Sequence, residues 1–276
     1  MRQPSIARSA GMYLLLVGVV LLMLLPFAWV LFGSFKTQNE FISDPGAWLP
    51  ETFANFSNYL VLFTEKSFGL YFANSAIVSI VAVLGNVFFS SMAGYALAKI
   101  DFSGRRWVFL AVVGSMTIPY VAVFVPQFLV IVQFGLVNTL TGIVVPILVM
   151  PLSIFIMRQF AMSVPDELLE AARVDGAGEF RIFFRVFLPL VGPAIATVSI
   201  LTFLNSWNYF LWPLIVAQSQ GTYTLPVGLA VASQASNTTA FGILLAGAVV
   251  VLLPVLILFV FLQRYFIQGV ATAGLK

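Results

Sequence analysis

Residues 10–32 read AGMYLLLVGVVLLMLLPFAWVLF and contain no charged side chain. A helix rises 1.5 Å per residue, so about 20 apolar residues cross the ~30 Å hydrocarbon core of a bilayer. Five more stretches meet this test, and the six predicted spans are 10–32, 71–97, 107–132, 139–157, 189–216 and 240–262. In lipid, the backbone of each span must satisfy its own hydrogen bonds. The sequence therefore predicts an all-α polytopic membrane protein with six transmembrane helices.

Composition supports this fold class and excludes several kinds of chemistry. The chain is 61% hydrophobic and only 8% charged, whereas soluble proteins carry about 25% charged residues. It has no cysteine and no histidine, which rules out disulfides, thiolate chemistry and histidine-ligated metals. No basic patch interleaved with aromatic residues indicates a nucleic-acid partner. We expect a single domain over residues 1–276, with membrane lipid as its surroundings and no metal or resident cofactor.

The charged residues predict the orientation. With the N-terminus inside, the cytoplasmic pieces are 1–9, 98–106, 158–188 and 263–276. Of the 13 lysine and arginine residues, only Lys36 and Lys66 then lie in the outer pieces. Positive charge concentrates on the cytoplasmic side of membrane proteins, so both termini are expected there. The first apolar run exceeds the about 7–15 residues of a signal-peptide core, and we expect it to be a retained span.

The predicted cytoplasmic loop 158–188 reads RQFAMSVPDELLEAARVDGAGEFRIFFRVFL. Ser163 is expected to cap a helix that has Asp166 and Glu167 in its first turn, where acidic side chains are favoured. Gly176 can end that helix in the left-handed conformation. A second short helix with a phenylalanine-rich face follows. The pattern predicts a helix–glycine–helix elbow, and an amphipathic segment lying on lipid headgroups is the alternative.

The residues of this loop resemble a known motif. Glu170, Ala171, Ala172 and Gly176, followed by Val186, Leu188 and Pro189, resemble the EAA loop of ABC importer permeases, although Val186 stands where isoleucine is usual. The extended form PDELLEAARVDGA is similar to the carbohydrate branch, and to the smaller permease of maltose-type importers. Residues 74–106, 134–146, 205–216 and 264–276 resemble other parts of that branch, although the chain ends in Ala-Gly-Leu-Lys rather than the usual glycine-alanine.

The resemblance implies a type I ABC importer permease fold and a non-catalytic subunit in a prokaryotic plasma membrane. A cytoplasmic ATPase would receive the loop through Glu170, Ala171, Ala172, Asp175, Gly176 and Ala177. Two such ATPase subunits would bind the ATP, and this chain contains no Walker-type phosphate loop of its own. The other implied partners are a second permease, in a heterodimer, and an extracytoplasmic solute-binding protein, which the outer loops 33–70 and 217–239 would face.

Polar residues within the predicted spans are candidates for a solute path. They are Asn86, Thr202, Asn205, Ser206 and Tyr209. Thr202, Asn205 and Tyr209 have the spacing of one helical face, with Trp207 and Trp212 nearby. Hydroxyl, amide and aromatic groups suit a sugar or related polyol. Such residues also act as hydrogen-bonding contacts between membrane helices, and the tryptophans can anchor a helix at the membrane interface.

Two other classes of protein remain as alternatives. A self-sufficient secondary carrier or channel for a small neutral solute would also be rich in apolar helices. Ion-coupled carriers usually keep charged residues within their spans, and these spans have none. A membrane-embedded enzyme would need convergent catalytic groups at membrane depth. The sequence favours the importer subunit over both.

Overall fold

The computed structural model describes residues 6–234 and 240–273. The described residues are helical and contain no strand. The first ten helices are α1 (Ile6–Gly33), α2 (Gln38–Ser43), α3 (Ser57–Thr64), α4 (Phe68–Lys99), α5 (Arg105–Ser115), α6 (Tyr120–Gln133), α7 (Leu140–Val144), α8 (Pro151–Ser163), α9 (Asp166–Val174) and α10 (Glu179–Ile182). They are followed by α11 (Leu188–Leu190), α12 (Gly192–Trp207), α13 (Leu211–Val216), α14 (Leu225–Gln234) and α15 (Phe241–Ala273). Predictions for residues 1–5, 235–239 and 274–276 lie outside the described residues.

Three helices are long and apolar enough to cross a membrane without a break. Their qualifying segments are Gly11–Gly33, Phe68–Lys99 and Phe241–Phe261. They match the first, second and sixth predicted spans to within a few residues. The prediction of a helical membrane protein is therefore confirmed.

The other three predicted spans are not single straight helices. Arg105–Ser115 meets Tyr120–Gln133 at 103°, Leu140–Ile147 meets Pro151–Ser163 at 42°, and Glu179–Leu190 meets Gly192–Trp207 at 81°. Six spans are reached only if each bent pair counts as one. Helix α8 runs on to Ser163 and the pair of the fifth predicted span starts at Glu179, so helices extend into the predicted loop 158–188 from both sides.

Prolines explain these breaks. Pro119 precedes α6, Pro151 is the first residue of α8, and Pro193 lies in the first turn of α12. A proline lacks the N–H that a continuing helix needs, and it disfavours helical geometry in the preceding residue. Met150, directly before Pro151, accordingly has extended backbone angles of φ −107° and ψ 129°.

The chain divides into two compact units, and the predicted single domain stays a prediction. One unit comprises Met1–Phe68 with Gly228–Pro254. Within it, Asn58 is buried and its Nδ2 donates to the carbonyl oxygens of Ser34, at 2.9 Å, and Lys36, at 2.8 Å. A capping box between Thr37 and Glu40 starts α2. The predicted outer loop 33–70 is thus ordered by contacts of its own.

The second unit comprises Gly69–Val227 with Val255–Lys276 and contains the bent pairs. Helix α4 packs closely against α8 in this unit. A Cβ atom on Gly94 would lie 2.7 Å from Met157 Cβ and 2.8 Å from the Arg158 backbone nitrogen. Arg158 lies on this helix, where its guanidinium stacks on the Phe109 ring and its Nε donates to the Leu97 carbonyl oxygen. These contacts accommodate a charge that the sequence assigned to a loop.

Candidate functional site

Helix α9 begins after Pro165 rather than at Ser163. Pro165 is the N-cap, and Asp166 and Glu167 occupy the first turn as predicted. Ser163 is instead the last residue of α8, and its Oγ donates to the Phe160 carbonyl oxygen at 2.7 Å. The predicted cap was wrong because Pro165 disfavours helical geometry in the residue before it, which separates α8 from α9.

Gly176 ends α9 in the predicted left-handed conformation, with φ +80°. The Ala177 N–H donates to the Ala172 carbonyl oxygen and the Gly176 N–H to that of Arg173, each at 3.0 Å. These two bonds form a Schellman motif, which pairs otherwise free carbonyls at a helix end. A Cβ on Gly176 would meet no atom within 4 Å. The backbone angle, rather than space, is therefore what favours glycine here.

The elbow, which consists of α9, the turn at Asp175–Gly178 and α10, offers an exposed edge. Four of the six predicted docking residues are exposed: Glu170, Ala171, Asp175 and Gly176. Ala172 and Ala177 are half-buried against the core, into which Leu169 is fully inserted. Beside them, Val174 is 87% exposed and Phe180 is 70% exposed. The elbow is thus anchored on one side and presents apolar and acidic groups on the other.

Three side chains join the elbow to α4 through one carboxylate. Arg173 Nε donates to Glu179 Oε1 at 2.7 Å, and Tyr95 Oη donates to Glu179 Oε2 at 2.7 Å. The hydrogen bond from Arg173, followed by that from Tyr95, holds the pKa of Glu179 below its ordinary value. Both bonds favour the charged form, so Glu179 is an ionised acceptor at neutral pH.

A second contact joins α4 to the start of the elbow. Lys99 Nζ donates to the Val164 carbonyl oxygen at 2.6 Å and to Asp166 Oδ1 at 2.5 Å. The Lys99 side chain is 4% exposed, whereas that of Asp166 is 72% exposed. The Lys99 hydrogen bond lowers the pKa of Asp166. A buried ammonium group needs such partners, because leaving it unpaired is costly.

A cleft of about 670 Å³ lies in the second unit, where the bent pairs break. Residues at the helix breaks line it, namely Met116, Ile118, Val149 and Met150, together with Asn205 near the end of α12 and Tyr209 just beyond it. Non-helical backbone at membrane depth is tolerated only within protein or beside water. The cleft lies at such breaks, and its hydroxyl and amide side chains are able to hydrogen-bond water or a polar solute.

Two tyrosines meet in this cleft. The hydroxyl oxygens of Tyr120 and Tyr209 are 2.6 Å apart, although 89 residues separate them in the chain. Gln127 lines the same cleft, and its buried Nε2 has no hydrogen-bond partner at normal geometry. Gln127 also lies within reach of the Tyr120 side chain, so its amide can donate either to Tyr120 or to a bound hydroxyl group.

The remaining candidate path residues, Asn86, Thr202 and Ser206, do not line the cleft. They form hydrogen bonds between and within helices. Asn86 Nδ2 donates to Thr202 Oγ1 at 2.6 Å and to Ser153 Oγ at 2.9 Å, and Asn86 Oδ1 accepts from the Met150 N–H at 3.0 Å. Ser206 is buried, and its Oγ donates to the Thr202 carbonyl oxygen. Asn86, through its bonds to Thr202, Ser153 and Met150, therefore holds α4, α8 and α12 together, whereas the Ser206 bond stays within α12.

The expected single face on the fifth span does not form. Thr202 is buried and Asn205 exposed, while Tyr209 lies beyond the end of α12 at Trp207, so helical spacing no longer applies to it. Trp207 and Trp212 are both buried in the protein, and Trp212 Nε1 donates to the Gly142 carbonyl oxygen at 3.1 Å. Neither tryptophan lines the cleft or anchors an exposed interface.

Sequence reasoning missed the residues whose roles depend on distant partners. Tyr95, Lys99 and Glu179 gave no local signal, because 84 and 67 residues separate the bonded pairs. Tyr120 had a detectable signal in Pro119, which breaks the third span and brings Tyr120 to the start of a helix.

Long apolar helices, a charged elbow and a cleft at helix breaks are features expected of the membrane subunit of a transport system. The chain belongs to the family described as binding-protein-dependent transport system inner membrane component, which matches residues 86–272. Members of this family are transport components rather than enzymes, and the prediction of a non-catalytic multi-pass permease is confirmed.

Several curated relatives match nearly the whole chain. The arabinooligosaccharides transport system permease protein AraQ of Halalkalibacterium halodurans is 41% identical over 272 residues, 96% of each chain. The diacetylchitobiose uptake system permease protein NgcG of Streptomyces coelicolor is 35% identical, covering 93% of this chain and 85% of the relative. The lactose transport system permease protein LacG of Rhizobium radiobacter is 32% identical, covering 97% and 95%.

A solved structure has the same fold. It is a chain from a bacterial ABC transporter involved in the import of the acidic polysaccharide alginate, with a TM-score of 0.83. The match covers 96% of this chain and 99% of that one at 24% identity. The predicted ABC importer permease fold is therefore confirmed.

Proposed function

We propose that this chain forms half of the translocation path of an ATP-driven importer for a sugar or related polyol. Its partners are a second permease in a heterodimer, two ATPase subunits and an extracytoplasmic solute-binding protein. One observation carries the proposal: a rigid, partly apolar elbow extends from a membrane subunit that has no phosphate-binding loop of its own. The family membership favours this function over a self-sufficient carrier or channel.

The elbow is the proposed docking surface for an ATPase. Glu170, Ala171, Asp175 and Gly176 form its exposed edge, while Ala172 and Ala177 hold it against the core. Small side chains allow a partner's backbone to approach closely, and Val174 adds exposed apolar surface at the same edge. Glu170 would pair there with a basic or polar group of the ATPase.

Co-purification of the assembled complex in mild detergent tests this docking surface. Glu170→Lys should reduce the ATPase recovered with the chain while leaving the amount of membrane-inserted protein unchanged. Glu65→Lys makes the same charge change at an exposed residue in the predicted outer loop and is the matched control. Equal ATPase recovery with both variants would contradict the assignment.

The solute class follows from the relatives and the cleft together. The relatives reported above are named for transport of arabino-oligosaccharides, diacetylchitobiose and lactose, which are all carbohydrates. Among the described residues, the cleft lining holds hydroxyl, amide and aromatic groups and no ionised side chain. Such a lining can hydrogen-bond sugar hydroxyls and contact the apolar faces of sugar rings. Arabino-oligosaccharides are the first solutes to test in proteoliposomes that contain the complete transporter and its binding protein.

Asn205 and Tyr209 are the proposed solute contacts of this subunit, with Asn86, Thr202 and Ser206 supporting the path from behind. Tyr120 and Gln127 join the proposed contacts because they line the same cleft. ATP-dependent uptake that persists unchanged after Asn205→Leu together with Tyr209→Phe would exclude a direct role for this cleft.

The proposed location is a prokaryotic plasma membrane with both termini in the cytoplasm. The chain contains no cysteine, so a single introduced cysteine is the only thiol in it that can be labelled. The orientation can therefore be measured directly. Ser103→Cys and Ser43→Cys both replace exposed serines, in the predicted inner and outer loops respectively. In whole cells, a membrane-impermeant maleimide should label the Ser43→Cys variant only, and the opposite labelling would reverse the orientation.

A further inference from the structure

The two polar contacts between α4 and the elbow come from the same turn of α4. Tyr95 and Lys99 are four residues apart, so they lie on one face of the helix. Lys99 binds Val164 and Asp166 at the start of α9. Tyr95 binds Glu179, which in turn binds Arg173 in the last turn of α9. Helix α9 is thus held at both ends by one turn of α4.

These contacts differ from an ordinary surface ion pair. The side chain of Lys99 is 4% exposed and Tyr95 is 3% exposed. By contrast, Arg105 and Asp101 form an exposed local pair, with side chains 39% and 98% exposed. Exposed pairs contribute little to a structure, whereas separating a buried charge from its partners is costly because the charge is left unpaired. The contact between α4 and the elbow therefore resists separation.

The other end of α4 binds a loop on the predicted outer side. Asn74 Nδ2 donates to the carbonyl oxygens of Gly221, at 3.0 Å, and Tyr223, at 2.9 Å. Ser75 Oγ accepts from the Leu225 N–H at 2.7 Å. Each of these bonds spans about 150 residues of sequence, as in the 150 that separate Ser75 from Leu225. Helix α4 therefore contacts both the elbow and the segment 221–225.

Between these two ends α4 has no break. Its 32 residues extend about 48 Å at 1.5 Å per residue, which exceeds the hydrocarbon thickness of a bilayer. A packed continuous helix moves as a rigid body in domain rearrangements. A displacement applied to its inner end is therefore delivered to its outer end.

We infer that Tyr95, Lys99 and Glu179 are positioning residues that make α4 a rigid strut between the elbow and the segment 221–225. ATP-driven displacement of the elbow then moves that segment, which belongs to the loop proposed to face the solute-binding protein. This inference rests on the proposed docking of an ATPase at the elbow. It assigns the communication between the two partner proteins to one helix of this subunit.

The test uses the complete transporter in proteoliposomes, with ATP hydrolysis, solute uptake and ATPase co-purification measured on each variant. Tyr95→Phe combined with Lys99→Met should leave the ATPase bound but lower binding-protein-stimulated hydrolysis and uptake about tenfold, the effect of a 1.4 kcal/mol loss of coupling. Lys99→Arg keeps the cation and should retain most of the coupling. Asp101→Asn, which alters only the exposed pair, is the control.

The same loss should follow from changes at the far end. Asn74→Leu with Ser75→Ala should also lower stimulated hydrolysis while the ATPase stays bound. Since both pairs act through one helix, combining them should add little to either loss, which is the signature of coupled sites. Full additivity would overturn the strut.

The possible failures are distinguishable. If the unaltered chain does not recover an ATPase, the proposed function fails, whatever the variants do. If the ATPase binds and the Tyr95–Lys99 variant couples normally, only the strut is overturned. Loss of ATPase binding in that variant would also overturn the strut. It would mean that Tyr95 and Lys99 only stabilise the docking surface and do not transmit its movement. Tyr95→Phe alone removes a single hydroxyl group, and it provides the same test if the double variant does not fold.

Discussion

Helix α4 and the bent pairs around the cleft perform opposite structural tasks within one unit. Helix α4 is unbroken over 32 residues and forms polar contacts at both ends and at Asn86. The bent pairs break at prolines by angles of up to 103°, and residues at two of these breaks line the cleft. Helix α4 is a continuous packed helix, whereas the bent pairs surround a cavity. We therefore expect substitutions in the two regions to have different effects.

The largest effect is expected where α4 touches α8. Gly94→Ala would place a methyl group 2.7 Å from Met157 Cβ and 2.8 Å from the Arg158 backbone nitrogen. Overpacking of this kind costs about 1–3 kcal/mol, and here the opposing atoms include backbone. Thermal unfolding in detergent should show a lower Tm for Gly94→Ala. Gly114→Ala is the control, because its Cβ would meet no atom within 4 Å. Equal Tm values would mean that α4 and α8 can separate.

The next effect is expected at the elbow. Gly176→Ala forces a Cβ into the left-handed region at φ +80°, at a cost of roughly 1–2 kcal/mol. Co-purification should recover less ATPase with this variant. Gly178→Ala is a close control, because Gly178 has φ −71° and equally open space. Similar ATPase recovery from both variants would mean that docking does not depend on the turn.

A smaller effect is expected in the cleft. Tyr209→Phe removes the hydroxyl that meets Tyr120 at 2.6 Å without changing the ring. The net worth of one hydrogen bond, about 0.5–1.5 kcal/mol, corresponds to a roughly two- to tenfold change in the solute concentration that half-saturates uptake. ATPase binding should be unaffected, in contrast to the elbow variants. Tyr13→Phe, at an exposed position on α1, is the matched control.

The smallest effect concerns pH. The pKa of Glu179 lies below its ordinary value of 4.5 because Arg173 and Tyr95 bind the carboxylate. A depressed folded-state pKa stabilises the fold above pH 4.5, and that stabilisation is lost as the pH falls through the lowered value. The protection factors of amides in α9, which correct for the slower intrinsic exchange in acid, should therefore fall on acidification below about pH 4.5. Glu179→Gln should remove most of this pH dependence, and a wild-type response in the variant would assign it to another group.

The sequence predicted the parts of this structure that depend on local pattern. The apolar runs located α1, α4 and α15, and Gly176 marked the end of α9, because span length and backbone conformation are properties of short segments. The breaks at Pro119 and Pro151 also had a local signal, but apolar runs interrupted by proline were interpreted as continuous spans.

Long-range pairing was not predictable in the same way. Asn86 was predicted as a path residue, and this stays a prediction; the structure shows its hydrogen bonds with Thr202 and Ser153 on two other helices. Contact with solute and hydrogen bonding between helices both require a polar residue in an apolar span. A single sequence therefore cannot distinguish these two roles. Asn205 and Tyr209, by contrast, do line the cleft, and their contact with solute remains a prediction.

The helix breaks also bear on how such a transporter could change its cargo. Where α5 meets α6 and where the segment Leu140–Ile147 bends into α8, residues at the helix breaks form part of the cleft wall. Peptide groups are present whatever side chain a position carries, so they provide polarity that substitution does not remove. Side chains such as Asn205 can then be exchanged without leaving the cavity dry. A scaffold of this kind is evolvable, since a new sugar preference requires new side chains but no new means of keeping the path hydrated.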